Sequence, residues 1–552
     1  MSSGVIRNIL GFCLSMALGA TMAFFLFPTA MLLGFHSHWD NVNGDVATGL
    51  VGFYEFAQDR WRWPLLYTLN LDAPTGTTIF FTDPNGILAV VGKLFFKTTG
   101  ILYPYMGIWI LASYMLNAGF GYLILKHLGV SILAAVAGSC LFFLLPAFIY
   151  RFGHHTLAGQ FVIVATIYAY LRITKGVNNS EIYAWAFAVG TLVFVTPYLF
   201  AMCAALFLAA LIDGYRRSNV TLYQAAIGFV VLIATAAFFV RAAGLGSGGL
   251  PKAGGFTDWS MNLLSPIWPQ FSILLPNETI LKGTPGQYEG FNYLGMGVLS
   301  LAMIALATGY RQFSCTIRGR PTLAIALGGM AIYSLSSVVY AGQVKLVSLH
   351  YETLPVLSEI TGVFRVPGRF FWPFGYVLVA LSITIIARKM SPAVFLAVLS
   401  SAVLIQFVEI APLYNHVRAR AALEEPAKDK DLVAPIIPNY TEVRIFPGFL
   451  CTNGGDRRAI LTFQMVAALH GLPVNGAYVN RGGMGCAEHQ KAVLADPFAG
   501  ASTSNPLLII FRKSAGEEMS AKLIGADIQC SAAPTVYLCA RDKAPPIKTP
   551  RT

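Results

Sequence analysis

The strongest constraint on this chain is a series of apolar runs near 20 residues long, the first from Ile9 to Leu33. A helix of that length crosses the hydrocarbon core of a bilayer. Away from water, it also satisfies its own backbone hydrogen bonds. The runs predict eleven spans, at about 9–33, 101–125, 130–149, 160–172, 183–196, 198–212, 222–241, 293–309, 321–340, 371–387 and 392–411. The 160–172 run is short for a crossing, and only the turn around Thr196 and Pro197 separates the fifth run from the sixth. Charged residues make up 12% of the chain, about half the share of a soluble domain. The first run is too long for the apolar core of a signal peptide and lacks a convincing small-residue cleavage site.

The connecting loops alternate in character. Arg7, Lys126–His127, Arg172 with Lys175, Arg216–Arg217, Arg311 with Arg318 and Arg320, and Arg388–Lys389 lie in short basic loops. The positive-inside rule places these in the cytoplasm, with the N-terminus. The loops 36–100, 151–159, 241–292 and 342–370 are longer or richer in Gly, Pro and aromatic residues, and fall outside. The net charge of +12 therefore belongs to membrane topology. No basic, aromatic-interleaved soluble stretch exists to bind nucleic acid. An odd number of crossings delivers the tail to the outer side.

Cysteine usage tests that topology. Cys451, Cys486, Cys530 and Cys539 all lie in the tail, as disulfides in an oxidising compartment would require. Three connectivities are open, with 451–486 and 530–539 favoured; four free buried thiols are the alternative. Strand patterns at 442–446, 507–511 and 535–538, with helical patterns at 457–470 and 517–524, predict a small α/β domain. The divisions are then 1–411 for the membrane domain, 412–438 for a linker and 439–552 for the outer domain. No P-loop, dinucleotide fingerprint or zinc-ligand spacing is present.

The first outer loop is unusually acidic, with Asp40, Asp45, Asp59, Asp72 and Asp83. Val46, Leu50, Phe53, Tyr54, Ala57 and Trp61 recur every three or four residues, which predicts an amphipathic helix lying flat at the membrane interface. Asp45 follows Gly44 at its start and suits an N-cap. A charged carboxylate is favoured there and is also a candidate general base; Asp40 is the other. Trp39 and Asp83 are candidate acceptor contacts, Asp83 being equally suited to a turn. Asp59 and Asp72 are expected to be solvated.

Cations occupy the later outer loops. Arg151, His154 and His155 share RFGHHTLAGQ, and two adjacent histidines point apart, so one at most serves a site. Arg365 and Arg369 stand four residues apart in TGVFRVPGRFFWP. Arginine offers permanent charge and a donor fork matched to phosphate oxygens; headgroup anchoring is the alternative. The loop 241–292 opens on GLGSGG, as a substrate cover would, and ends at Tyr288 and Glu289, read as acceptor contacts. An ordinary surface glutamate is the alternative for Glu289.

Taken together, GDVATGLVGFYEFAQDRW, FFTDP, RFGHHTLAG, the P-Y-L-F turn at 197–200, YEGFNYLG and FRVPGRFFWP resemble a bacterial group of GT-C-like membrane proteins, over about residues 1–411. The resemblance implies a GT-C glycosyltransferase of the bacterial inner membrane. It would be a polytopic α-helical membrane protein of about eleven spans, with an interfacial helix in the first periplasmic loop and a small C-terminal α/β periplasmic domain. It implies inverting transfer of a sugar from a polyprenyl-phosphate donor to a glycan or lipid-linked acceptor. Asp45 or Asp40 would be the base, and Arg365, Arg369 and one of His154 or His155, with Arg151, would bind the phosphate. The loop lacks the contiguous acidic pair of some members, which leaves the choice of base and any divalent metal open. Two rivals are a lipid-linked oligosaccharide flippase and a non-catalytic polysaccharide assembly factor. The first calls for internal repeats and mid-span charges, which are not seen; the second calls for Asp45 in a purely structural cap.

Overall fold

The computed structural model describes residues 3–42, 44–245, 254–274, 282–422, 430–452, 454–478, 486–498, 505–524, 528–541 and 543–546. Most of the GLGSGG run and residues 423–429 of the 412–438 linker lie outside them. The described chain forms two compact units: one from 1–32, 106–239 and 250–422, the other from 33–105, 240–249 and 423–552.

The first unit is a helical bundle. Each of the eleven apolar runs contains a helix. Among the described residues, six helices are long and apolar enough to cross a membrane: Gly4–Leu26, Met106–His127, Pro197–Arg216, Leu222–Ala242, Pro367–Lys389 and Pro392–Glu409. A seventh crossing is made if Ile132–Phe143 and Pro146–Gly153, bent by 51°, count as one. Phe161–Ile173 and Pro321–Ser334 are apolar but shorter. Met296–Arg318 is helical throughout except at Gly309, whose non-helical backbone kinks it where the predicted eighth run stops. The 342–370 loop is partly ordered: Val338–Ala341 and Val344–Ser348 form an antiparallel hairpin.

In the second unit the first loop and the tail fold together. The Val474 amide donates to the Asn70 carbonyl and the Ala73 amide to the Val474 carbonyl. Gln58 donates to Ala468 O across 410 residues. The predicted amphipathic helix exists, as Gly44–Gln58, but it is no interfacial ribbon. Residues Ala47 to Ala57 are buried without a break, because Gly86–Thr99 and Gly454–Leu469 both pack on it. Its polar positions Thr48 and Glu55 are inside as well. Asp59 is likewise buried rather than solvated, accepting from Thr68 Oγ1 and Leu69 N at 2.8 Å and from Arg62 Nη2 at 2.6 Å.

The tail carries a four-stranded sheet. Glu442–Phe446 runs parallel to Pro506–Phe511, and Val536–Ala540 and Gln529–Ala532 follow antiparallel. Phe446, Leu508, Ile510 and Leu523 share one core cluster. Gln529–Ala532 and the helix Cys486–Ala495 are absent from the sequence expectation. Both favoured disulfides are formed: Cys451–Cys486, and Cys530–Cys539 directly across a strand pair.

Candidate active site

The site in the helical unit begins with two glycines. A Cβ on Gly368 would sit 2.6 Å from Gly290 Cα, so only glycine lets these two turns touch. Their neighbours, Glu289 and Arg369, are thereby brought side by side. Asn292 fastens the contact, donating through Nδ2 to Gly290 O at 3.1 Å and Gly368 O at 2.8 Å. Arg151 arrives from the 3₁₀ turn Tyr150–Gly153, just past the bend in the 132–153 helix pair.

One carboxylate gathers the cations. Glu289 Oε2 accepts from Arg151 Nη1 at 2.6 Å and from Arg369 Nη2 at 3.0 Å. His154 Nε2 lies 3.4 Å from Oε1. Arg151 also donates to the Glu289 main-chain carbonyl. The guanidinium of Arg369 stands over the Tyr198 ring at 4.7 Å and that of Arg151 near Tyr150 at 5.2 Å, favourable faces for a cation. Burial pushes the Glu289 carboxyl up, but Arg151, Arg369 and His154 together hold it well below the usual carboxylate range. Among the described residues, Arg151 and Arg369 share this one carboxylate. Side-chain exposure rises from 2% at Arg151 through 10% at Arg369 to 27% at His154, so an incoming anion meets His154 and Arg369 first.

Other candidate residues lie elsewhere. Arg365 stacks over Trp259 at 4.6 Å. His155 is buried, and its carbonyl accepts from Trp109 Nε1 at 2.8 Å. Tyr288 is exposed, and its carbonyl lies 3.4 Å from Arg151 Nη2. Glu289, expected to face an acceptor, spends its carboxylate on the cations. Asp40, Asp45, Asp83 and Trp39 belong to the second unit. Asp45 is exposed in the first turn of Gly44–Gln58 rather than at the N-cap. Asp40 lies 3.1 Å from His36 Nδ1 and accepts from Tyr54 at 3.4 Å. Asp83 ends a 3₁₀ turn in the left-handed region (φ 62°). Trp39 is fully buried and has no exposed ring for an acceptor. Among the described residues no three His, Cys, Asp or Glu side chains gather as a metal site would require.

Six long apolar helices define a multi-pass membrane protein. The chain belongs to the family described as domain of unknown function DUF6311, which matches residues 16–411; the DUF6311 C-terminal domain matches 433–541. No curated protein matches the sequence. Among solved structures, ArnT from Cupriavidus metallidurans bound to undecaprenyl phosphate is 11% identical at a TM-score of 0.46, over 95% of this chain and 97% of that one. The archaeal oligosaccharyltransferase AglB from Archaeoglobus fulgidus, in complex with an inhibitory peptide and a dolichol-phosphate, is 12% identical at 0.44, over 90% and 69%. Overlaps this loose assign no role to any residue of this chain.

Proposed function

We propose that this protein is a membrane glycosyltransferase that moves a sugar from a polyprenyl-phosphate donor to a glycan or lipid-linked acceptor. The observation that carries this reading is the convergence of Arg151, Arg369 and His154 on the Glu289 carboxylate. Arg369 opens the Pro367–Lys389 helix, and Arg388 and Lys389 close it. A helix of that length spans the hydrocarbon core, so Arg369 sits at one membrane boundary, opposite a short basic loop. In this reading eleven crossings put the basic loops in the cytoplasm of a bacterial inner membrane. The arginine cluster and the tail then face the periplasm.

The chemistry asks for a phosphate leaving group and a base. The acceptor hydroxyl oxygen attacks C1 of the sugar from the face opposite the phosphate, inverting it. The C1–O bond breaks with its electron pair going to the phosphate oxygen, where Arg369 and His154, backed by Arg151, stabilise the charge. The hydroxyl proton passes to a carboxylate of the first loop. Asp45, in the Gly-Asp start of the Gly44–Gln58 helix, is the assignment, with Asp40 the alternative. Glu289 is a positioning residue that holds the two guanidiniums together.

The test uses full-length protein in native membranes with radiolabelled polyprenyl-phosphate sugars and a glycolipid extract as acceptor. Label is expected to leave the donor lipid for a product, about 10²-fold or more slowly with Arg369→Gln and about 10²–10⁴-fold more slowly with Asp45→Asn. A folded Asp45→Asn protein transferring at the wild-type rate removes Asp45 as the base. An Arg151→Gln/Arg369→Gln protein that binds polyprenyl phosphate as tightly as wild type overturns the reading of the cluster.

A further inference from the structure

At the other end of the helical unit lies a second, apolar hollow of about 140 Å³. Ile124, Ile167, Leu323, Leu327, Leu381 and Ile385 line it, and Arg320 and Arg388 stand on the same wall. These residues come from four helices near their basic-loop ends. Ile124 is in the last turn of Met106–His127, Leu323 in the first turn of Pro321–Ser334, and Arg388 in the last turn of the helix that Arg369 opens. The volume is close to that of apolar cavities of ~150 Å³ that stay dry and take up hydrocarbon.

The carboxylate whose charge acts on Arg320 is Asp213, and its oxygens are held by other donors: it accepts from Tyr170 Oη at 2.7 Å and from Thr322 N and Leu323 N at 3.3 and 3.2 Å. It therefore caps the Pro321–Ser334 helix. Among the described residues Arg320 and Arg388 form no ion pair, and Arg320 Nε is buried with no hydrogen-bond partner. An apolar slot ending at two guanidiniums, neither in an ion pair among the described residues, fits a lipid with an anionic head. Basic pockets between spanning helices on the cytoplasmic side recruit such lipids.

We propose that this hollow binds an anionic phospholipid of the surrounding bilayer, part of one acyl chain entering the slot and the phosphate bridging Arg320 and Arg388. The site is separate from the Glu289 cluster and does not depend on the transferase reading.

The test is native mass spectrometry of the full-length protein in detergent. It is titrated with phosphatidylglycerol, with phosphatidylcholine of the same chains and with polyprenyl phosphate, on samples that stay monodisperse and melt as wild type. Phosphatidylglycerol adducts are expected at about tenfold or lower concentration than phosphatidylcholine. Arg320→Gln/Arg388→Gln is expected to abolish that preference. Arg388→Gln alone, at an exposed position that the fold tolerates, is expected to reduce it. Ala324→Phe, which fills the slot but keeps both arginines, is expected to weaken phosphatidylglycerol binding. Equal binding of the two phospholipids by wild type overturns the proposal, as does an Ala324→Phe protein that binds phosphatidylglycerol undiminished. Displacement of phosphatidylglycerol by equimolar polyprenyl phosphate, in a manner that needs both arginines, also overturns it, because the occupant is then the carrier lipid.

Discussion

Glu289 and Glu55 are both glutamates with almost no exposed surface, 6% and 0%, and they are driven in opposite directions. Glu55, in the second unit, has no hydrogen-bond partner at either carboxyl oxygen among the described residues. Burial pushes its carboxyl well above the usual range against the opposing pull of Asn70, and the charge of Asp59 adds to the push. Glu289 suffers the same burial and is nonetheless held far below the usual range by Arg151 and Arg369. Depth alone therefore does not decide whether a buried carboxyl is charged; the neighbours do. One unit keeps a charged site in its interior, and the other keeps a neutral acid in its core.

The sharpest way to break this contrast is Glu289→Ala. It strands two buried guanidiniums, a change that costs about 3–5 kcal/mol, and is the largest stability effect expected here. Because the folded carboxyl titrates well below its ordinary value, its contribution is complete above the usual carboxylate range. It is lost only as pH falls through that depressed value. The melting difference between variant and wild type in detergent should thus stay flat from about pH 8 to 9, above the ordinary histidine range in which the loss of the His154 partner would also register. A small or strongly pH-dependent difference across that window would show that Glu289 is not the counter-ion.

Glu55→Gln should act with the opposite sign. A raised folded pKa means that the folded state holds the proton more tightly, so stability is highest below the ordinary glutamate range and falls as pH climbs above it. Replacing the acid by its neutral isostere removes that loss. The variant should be more stable than wild type by about 1–3 kcal/mol at pH 8 and nearly equal to it at pH 4. Melting curves at the two pH values decide it, and a variant less stable than wild type at pH 8 would contradict the neutral assignment.

Much of this was legible in the residues. Each apolar run contained a helix, and the tail cysteines paired in the favoured connectivity. What the chain hid was partnership over distance. Arg151 and Glu289 are 138 residues apart, and the glycines that bring Glu289 to Arg369 read in sequence as ordinary turn residues. The helix at 44–58 shows the same limit. Its three-and-four spacing is genuine, but the spacing fixes only one buried face. Whether the other face meets lipid, water or protein depends on the 454–469 helix about 400 residues later. Trp39 and Asp59 were misread for that reason, as residues whose cover is supplied by folding rather than by their neighbours in the chain.

Lys93 extends the comparison to a buried cation and gives its smallest expected effect. Its ammonium is fully enclosed, 4.0 Å from the centre of the Phe56 ring and 4.7 Å from that of Trp61, and donates to Arg60 O at 3.1 Å. Burial lowers its pKa to about 8, against the opposing pull of Asp59. The folded state then binds the proton less tightly than the unfolded chain, so between about pH 8 and the ordinary lysine value of ~10.4 stability should rise with pH. Below pH 8 this contribution is level. Lys93→Met keeps the stem against both rings and removes the titration. Subtracting its melting profile from that of wild type should therefore leave a rise confined to the alkaline side, worth about 1 kcal/mol once the lost cation–π contact is set against it. A difference profile flat across pH 8 to 10 would mean that the aromatic faces and the Arg60 carbonyl stabilise the ammonium as well as water does. A buried cation in the second unit would then be as well matched as Glu289 is in the first.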